Sequence, residues 1–134
     1  MSEISGIAAA MDAYFDGIHF GDTELLGTVL HPEIRLVCRR DGLTLDKQAY
    51  LATVGGRPSP AARGDERYDE VLSLSSATAS TAHVRARLAY LPKVFTDELV
   101  FVREGGKWQI IAKVWDYTLQ PETAAGETTA GGSQ

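Results

Sequence analysis

Several features that mark whole classes of proteins are scarce in this sequence. It holds one cysteine and three histidines, and no apolar run nears the roughly 20 residues of a membrane span. Its 13 basic residues are outnumbered by 18 acidic ones, giving a net charge of −5. A lone cysteine forms no internal disulfide, and an acidic chain lacks the basic surface that binds nucleic acid. With no signal peptide visible, we expect a cytoplasmic protein without a nucleic-acid or membrane partner.

Motifs for metal and nucleophilic chemistry are also missing. His19, His31 and His83 stand at no spacing typical of a metal site, so we expect no metal and no cofactor. Cys38 lies in a predicted strand and is interpreted as a small buried hydrophobe. The glycine pair at 55–56 follows a predicted helix instead of opening one, which argues against a phosphate-binding loop.

The bulk composition is that of one globular domain. With 44% hydrophobic and 23% charged residues, a chain of 134 residues can bury a single core. From Pro121 onward the residues are small and polar and show no periodicity. We therefore predict a domain over residues 1–119 and a disordered tail over residues 120–134.

Apolar spacing predicts three helices in the first half of the chain. Residues 4–20 carry apolar side chains at three- and four-residue intervals. Asp22 is placed to cap a short second helix, which the following His-Pro dipeptide ends because a residue before proline leaves the helical region. A third helix is predicted over 44–54, with Thr44 as its cap. The breaker-rich loop 57–64 that follows is long enough to form a rim or lid.

Alternating apolar and polar residues predict strands in the rest of the domain. One strand precedes the third helix, and four follow it with short connections, so neighbours are expected to pair antiparallel. This order of elements is typical of an α+β fold with helices on one face of a curved antiparallel sheet. The predicted strands span residues 34–40, 67–75, 80–91, 94–104 and 107–119.

The last two strands are predicted to form a hairpin around a glycine pair at 105–106. Counting outward from this turn pairs Asp97 with Val114 and Phe95 with Asp116, which puts both aspartates on one apolar face. The preceding strand is expected to join through a four-residue loop, with Tyr90 opposite Phe95. The opposite face then carries a cross-strand charged row of Arg87, Glu98 and Lys113.

Asp97 and Asp116 are the candidate catalytic carboxylates on that apolar face. As diagonal neighbours their carboxyl groups are expected within roughly 5–8 Å, and burial with mutual repulsion raises a carboxyl pKa. Such an environment suits a general acid or base. Tyr14 borders the apolar stripe of the first helix and is a candidate hydrogen-bond donor to a ligand oxygen. The alternative places both aspartates in bonds to backbone amides or an arginine at the sheet rim, and Tyr14 at the border of the core.

Two further groups of residues follow from this register. The apolar face of the sheet and the facing helices are predicted to line a ligand pocket through Met11, Phe15, Ile18, Cys38, Tyr50, Leu88, Tyr90, Phe95, Leu99, Phe101 and Val114. The outer face carries an apolar patch that a two-fold homodimer would bury. This patch is predicted to comprise Val100, Ile111, Lys113, Trp115 and Tyr117.

Short motifs in this order resemble a known superfamily. Leu30-His31-Pro32-Glu33 and the ending at 106–111, Gly-Lys-Trp-Gln-Ile-Ile, resemble the nuclear transport factor 2-like superfamily over about residues 4–119. Within it, the segments 57–64, 95–97 and 113–115 resemble the SnoaL-like group labelled "Putative lumazine-binding". The resemblance implies a cone-shaped half-barrel of sheet capped by three N-terminal helices, with an internal pocket and frequent homodimers.

The resemblance also bears on the candidate residues. It implies that Tyr14 lies where isomerase-like members carry a helix tyrosine and that Asp97 faces the pocket. Cys38 occupies the stretch where an isomerase would carry its base. Members of the superfamily include isomerases, cyclases, dehydratases and non-catalytic binding domains.

Three functions remain open from the sequence. The first is a cofactor-independent isomerase, dehydratase or cyclase that moves a proton on an apolar cyclic substrate. In it Asp97, helped by Asp116, would be the base and Tyr14 would stabilise an oxyanion. The second is a non-catalytic module that binds a small aromatic or heterocyclic, lumazine-like ligand. The third is an interaction domain whose pocket is filled by side chains.

Overall fold

The computed structural model describes residues 3–120, which fold into three helices and one six-stranded sheet. Residues 121–134 of the predicted tail lie outside the described residues. The helices are α1 (Glu3–Phe20), α2 (Thr23–Val29) and α3 (Lys47–Gly55). The strands are β1 (Leu30–Cys38), β2 (Leu43–Leu45), β3 (Asp69–Thr78), β4 (Thr81–Tyr90), β5 (Lys93–Glu104) and β6 (Lys107–Leu119).

The sheet is curved and unclosed, and the helices cover its concave face, which confirms the predicted α+β cone. Its strand order is β2-β1-β6-β5-β4-β3. Every neighbouring pair is antiparallel except β1 and β6, which run parallel. One core lies between the layers, where the inner side chains of α1 meet those of the central strands. Leu99, Phe101 and Ile110 are fully buried there.

Aspartate caps begin the two short helices. The Leu25 amide donates to Asp22 Oδ1 at 3.0 Å at the start of α2, as predicted. The cap of α3 is Asp46, not Thr44, and its Oδ1 accepts from the Ala49 amide at 2.9 Å. Thr44 lies instead in β2, a short edge strand that the sequence pattern did not indicate.

Close packing of α1 on α2 positions the helix layer over the sheet. A Cβ atom on Gly17 would lie 2.9 Å from the Cβ of Leu26, so only glycine allows this approach. Leu26 is fully buried at the contact. The C-terminal half of α1, which ends near the cavity described below, is held in place by this packing.

The final hairpin departs from its predicted register. Gly105 and Gly106 adopt φ angles of 59° and 76°, the left-handed conformation that a two-residue hairpin turn needs. Phe101 pairs with Ile110 as predicted, but a register shift follows between Val100 and Phe101. Beyond it Asp97 lies opposite Trp115 instead of Val114. One extra residue on β6, a β-bulge, accounts for the shift.

The bulge exchanges the two faces of the rest of β6, because side chains alternate along a strand. Lys113 and Trp115 are 5% and 9% exposed and point into the concave side. Val114 is 48% exposed, and the Asp116 side chain is 73% exposed, 3.8 Å from Arg40. The predicted inward positions of Val114 and Asp116 are therefore wrong.

The predicted dimer patch is altered by the same shift. Lys113 and Trp115 are buried, and Tyr117 packs partly against the core. These residues belong to the concave side, so the patch as predicted does not exist on the outer face. Val100 does lie there, 39% exposed, opposite Ala112. Homodimer formation stays a prediction.

The β4–β5 connection is tighter than predicted. Tyr90 pairs with Lys93 across the turn, so Leu88 lies opposite Phe95. The shift is two residues, which leaves every side chain on its predicted face but changes the charge pairing. Glu98 Oε2 accepts a hydrogen bond from Arg85 Nε at 2.9 Å, and the predicted row of Arg87, Glu98 and Lys113 is absent.

The observed register predicts different effects of substitution at Leu99, which is buried, and at Val114, which is half exposed. Leu99→Ala should lower the free energy of unfolding by about 2–5 kcal/mol, because it opens a cavity in the core. Val114→Ala should change it by less than about 1 kcal/mol, because Val114 is half exposed. Urea denaturation of both variants measures the difference. A loss at Val114 equal to that at Leu99 would contradict the register.

Candidate functional site

A cavity of about 370 Å³ lies on the concave side of the sheet, between the helices and the ends of β5 and β6. Its volume is in the range of small-molecule sites. Side chains from α1, α3, the sheet and the loop after α3 form its wall. They are Ile18, Asp41, Leu43, Leu45, Tyr50, Thr53, Arg57, Leu88, Lys93, Phe95, Asp97, Lys113 and Trp115.

Asp97 is the buried carboxylate of the cavity wall. It is 1% exposed, and its Oδ2 accepts a hydrogen bond from the Tyr14 hydroxyl at 2.5 Å. Its Oδ1 is buried and has no hydrogen-bond partner among the described residues. A buried acceptor without a donor costs free energy, so this oxygen is a position where a ligand donor would be gained.

Lys113 supplies the charge that balances Asp97. Its Nζ lies 3.9 Å from Asp97 Oδ2 and donates to the Tyr50 hydroxyl at 2.9 Å. The ammonium also lies over the rings of Tyr50, Trp115 and Tyr14, at 4.6, 5.0 and 5.2 Å from their centroids. Aromatic faces attract a desolvated cation, so the rings hold the ammonium in place.

The three titratable groups shift one another. Burial raises the pKa of Asp97 above its ordinary value, while Lys113 and the Tyr14 hydrogen bond oppose part of that rise. Burial lowers the pKa of Lys113, but Asp97 and Tyr50 outweigh it and the net pKa is raised. Burial and the Asp97 charge raise the pKa of Tyr14 well above its ordinary value. Lys113 therefore stays an ammonium and Tyr14 a phenol donor.

This arrangement can transfer a proton. One oxygen of Asp97 is anchored by Tyr14, and the other is free to accept a proton from a bound molecule. Tyr50 accepts from Lys113, so its own O–H can turn either to the neighbouring Tyr14 hydroxyl or to a bound molecule. A base and a polarised donor on one wall are the groups that enolisation needs.

The loop after α3 forms one rim of the cavity. The Arg57 guanidinium lies 4.1 Å from the centroid of the Tyr90 ring, and the Tyr90 hydroxyl donates to the carbonyl of Pro58. Across the turn, Lys93 Nζ lies 4.5 Å from the centroid of Tyr117. The predicted rim is thus built from stacked cations and tyrosines.

The predicted site residues fall into three groups. Asp97, Ile18, Tyr50, Leu88 and Phe95 line the cavity. A second group faces the concave side as predicted but is buried in the core without lining the cavity: Met11, Tyr14, Phe15, Cys38, Leu99 and Phe101. Tyr90 lies at the rim. Val114 and Asp116 lie on the outer face, so Asp97 has Lys113 as its charged neighbour where Asp116 was predicted.

Sequence reasoning missed Lys113 and Trp115 because it placed them outside. The Ile110-Ile111-Ala112 run contains no polar residue to mark a change of face. A charged side chain in an alternating strand is typical of a solvent-facing position. The signal that was available is the clash of Asp116 with an apolar wall, which the bulge removes.

Two of the three histidines are held by structural contacts. His31 Nδ1 accepts from the Glu33 amide at 3.0 Å and its Nε2 lies 2.9 Å from Glu104 Oε1. His83 Nε2 lies 2.9 Å from Glu98 Oε1 on the outer face. Across residues 3–120, no three His, Cys, Asp or Glu side chains cluster as metal ligands. No helix in that range has the length and apolarity required to cross a membrane.

Comparisons with known proteins agree with this architecture. A family model described as "Putative lumazine-binding" matches residues 2–116. An NTF2-like protein of unknown function from Silicibacter pomeroyi DSS-3 has a similar structure, with a TM-score of 0.74 at 20% identity. The match covers 86% of this chain and 95% of that one.

Two other solved structures are similar. A ketosteroid isomerase-like protein from Erwinia carotovora atroseptica SCRI1043 matches with a TM-score of 0.70 at 14% identity, over 86% of this chain and 95% of that one. An NTF2-like protein of unknown function from Methylobacillus flagellatus KT matches with a TM-score of 0.75 at 15% identity, over 87% and 92%. Comparison with curated proteins gives no match. At these identities the structural likeness concerns the fold.

Removing Lys113 should expose the cost of burying Asp97. We expect Lys113→Met to lower the free energy of unfolding by about 3–5 kcal/mol at neutral pH, because an unpaired carboxylate stays buried. The variant's Asp97 pKa should rise further above its unfolded value. The contribution of Asp97 to the free energy of unfolding is then fully present below the pKa of Asp97 in the unfolded chain. It is lost as pH rises through the pKa of Asp97 in the folded protein. The deficit should therefore shrink as pH falls from 7 towards 4, in urea denaturation.

An exposed ion pair provides the control. Arg85→Met removes one of the two partners of Glu98, which also lies 2.9 Å from His83, and should cost less than about 1 kcal/mol at neutral pH because the pair is half exposed. The double variant Asp97→Leu/Lys113→Met should lose less than the sum of its single variants. Additive losses would show that the two charges are not coupled.

Proposed function

The chain belongs to the family described as "Putative lumazine-binding", within the nuclear transport factor 2-like superfamily, and on that premise we propose that it is a cofactor-independent proton-transfer enzyme. Its substrate is a small, largely apolar cyclic molecule that enters the cavity. The observation that carries the proposal is Asp97, a shielded carboxylate with Oδ2 anchored by Tyr14 and Oδ1 unpartnered.

Asp97 is the general base. Its Oδ1 takes a proton from a carbon next to a carbonyl of the substrate, and the electron pair moves onto the carbonyl oxygen. The raised pKa of Asp97 is the direction needed for a base working near neutral pH. Returning the same proton to another carbon completes an isomerisation, with no net gain or loss of atoms.

Tyr50 and Lys113 stabilise the negative oxygen. Lys113 Nζ donates to the Tyr50 hydroxyl at 2.9 Å, which makes that hydroxyl a stronger donor. Tyr50 lines the cavity, whereas Tyr14 does not. The oxyanion role predicted for Tyr14 therefore passes to Tyr50, and Tyr14 becomes a positioning residue that orients Asp97.

Apolar side chains around these groups fit a cyclic substrate. The wall includes Leu43, Leu45, Leu88, Phe95 and Trp115. Excluding water from such a wall strengthens the hydrogen bonds made inside it. The same wall explains the choice of an apolar ring over a sugar or nucleotide, which would need many more polar partners.

A binding module remains the second candidate. The observation that favours it is the 3.9 Å contact of Asp97 with Lys113, which leaves the carboxylate with a matched charge at rest. In that case a heterocyclic ligand such as lumazine would donate an N–H to Oδ1 and be released unchanged. Isothermal titration of lumazine, with no turnover of cyclic ketones, would select this candidate.

Exchange of carbon-bound hydrogen tests the proposed proton-transfer activity. The wild type should exchange or isomerise members of a panel of β,γ-unsaturated cyclic ketones in D₂O, followed by proton NMR. Asp97→Asn should slow this by roughly 10²–10⁴-fold, the usual contribution of a general base. Exchange that persists unchanged in Asp97→Asn would remove Asp97 as the base.

The pH profile of activity distinguishes a positioning role of Tyr14 from a role in stability alone. Activity needs ionised Asp97, so it should rise with pH through the pKa of that group. The Tyr14 hydrogen bond lowers the pKa of Asp97, so Tyr14→Phe should move the rising limb to higher pH. Tyr68→Phe is the control, since Tyr68 donates to Glu70 at 2.5 Å at the surface and should leave the limb in place.

A further inference from the structure

Two cations on the cavity wall lack an acidic partner. Arg57 and Lys93 both line the cavity and are half-buried. Within the described residues neither lies within salt-bridge distance of a carboxylate. Lys93 instead rests over the Tyr117 ring at 4.5 Å, and Arg57 over the Tyr90 ring at 4.1 Å.

Four arginines outside the cavity wall are paired with acids. The chain has 18 acidic residues against 13 basic ones, so partners are plentiful. The pairs are Arg40 with Asp116, Arg63 with Asp65, Arg67 with Asp16 and Asp69, and Arg85 with Glu98. On the cavity wall, by contrast, Lys113 is the cation with an acidic partner, and Arg57 and Lys93 have none among the described residues.

Tyr90 brings the two cations to one side of the cavity. Lys93 is the cross-strand partner of Tyr90 in the β4–β5 ladder, and Arg57 stacks on the ring of the same tyrosine. Asp41 also lines the cavity, but its Oδ1 already accepts from the Tyr117 hydroxyl at 2.7 Å. The rim next to Tyr90 thus carries two positive charges against the one negative charge of Asp41.

Unsatisfied buried atoms mark both ends of the potential ligand. Arg57 Nε is buried and has no acceptor, and Asp97 Oδ1 is buried and has no donor. The two side chains line one cavity. A buried donor and a buried acceptor that protein groups leave empty are satisfied together by one molecule with the complementary groups.

We propose that the ligand of this cavity is an organic carboxylate: an apolar ring whose carboxylate pairs with Arg57 and Lys93 at the rim and whose donor or acidic C–H faces Asp97. The proposal rests on the proposed function for the site and adds the class of substrate. Arginine binds carboxylate through paired N–H groups, and Arg57 Nε is one donor of such a pair.

One negative charge fits the wall better than two. Asp41 and Asp97 supply two carboxylates against Arg57, Lys93 and Lys113, and Lys113 is already committed to Asp97. The remaining charges of Arg57, Lys93 and Asp41 sum to +1, which one carboxylate neutralises and a phosphate dianion exceeds. The chain's net charge of −5 gives no general attraction for anions, so binding has to come from these local contacts.

Matched pairs of small molecules test the proposal by binding alone. The probes are one-, two- and three-ring aromatic carboxylates and their neutral carboxamides, which have nearly the same shape. Thermal shift selects the ring size, and isothermal titration then measures Kd. The best carboxylate should bind roughly tenfold or more tightly than its carboxamide, about the effect of one charge-assisted hydrogen bond.

Variants assign the preference to the two cations. In Arg57→Gln/Lys93→Gln the carboxylate and carboxamide should bind within about twofold of each other. Arg63→Gln is the matched control, because Arg63 also lies over Tyr90, at 4.6 Å, but pairs with Asp65 and does not line the cavity. It should keep the wild-type preference.

Two results would overturn the proposal. One is a panel in which no carboxylate binds better than its carboxamide, including the case in which none binds. The other is a preference that survives in the double variant. Asp97→Asn should retain or strengthen carboxylate binding, since it removes a negative charge from the wall. If Asp97→Asn keeps the preference for the carboxylate and also keeps hydrogen exchange, this proposal stands and the base role of Asp97 is refuted.

Discussion

The buried contact between Asp97 and Lys113 is the interaction on which the concave face depends. Burying either charge alone would cost several kcal/mol, and together they are tolerable only with further hydrogen bonds. Tyr14 and Tyr50 supply those bonds. The four side chains come from α1, α3, β5 and β6, so one polar network joins the helix layer to the sheet at the cavity.

That network also determines which chemistry is available. Because Tyr14 and Lys113 both act on Oδ2, the carboxylate is polarised and held by one oxygen while the other remains open. Because Lys113 is surrounded by rings and bonded to Tyr50, its charge reaches a bound molecule through a hydroxyl. Apolar walls and a rim with two free cations complete the site. Its interior end is polar, and its outer end is positively charged.

Most of the fold follows from sequence pattern, and the inward position of Asp97 follows with it. Apolar periodicity located α1, and turn residues located the last four strands, because these signals are local. The face of Lys113 depends on one unpaired residue near Val100, and the apolar run at 110–112 gives no local signal for it. β2 is short and largely exposed at the sheet edge, so it lacks the alternation that would have revealed it.

The bulge in β6 is one extra residue, and it determines which side chains of the following segment face the cavity. If the same sequence paired without the bulge, with Val100 opposite Ile111, Val114 and Asp116 would turn inward and Lys113 and Trp115 would turn to solvent. The result would be a wall with two aspartates and no lysine, built from an unchanged sequence. Deleting Ile111 would instead remove the bulge and leave Lys113 opposite Leu99, so the extra residue is what lets this sequence place its lysine inside.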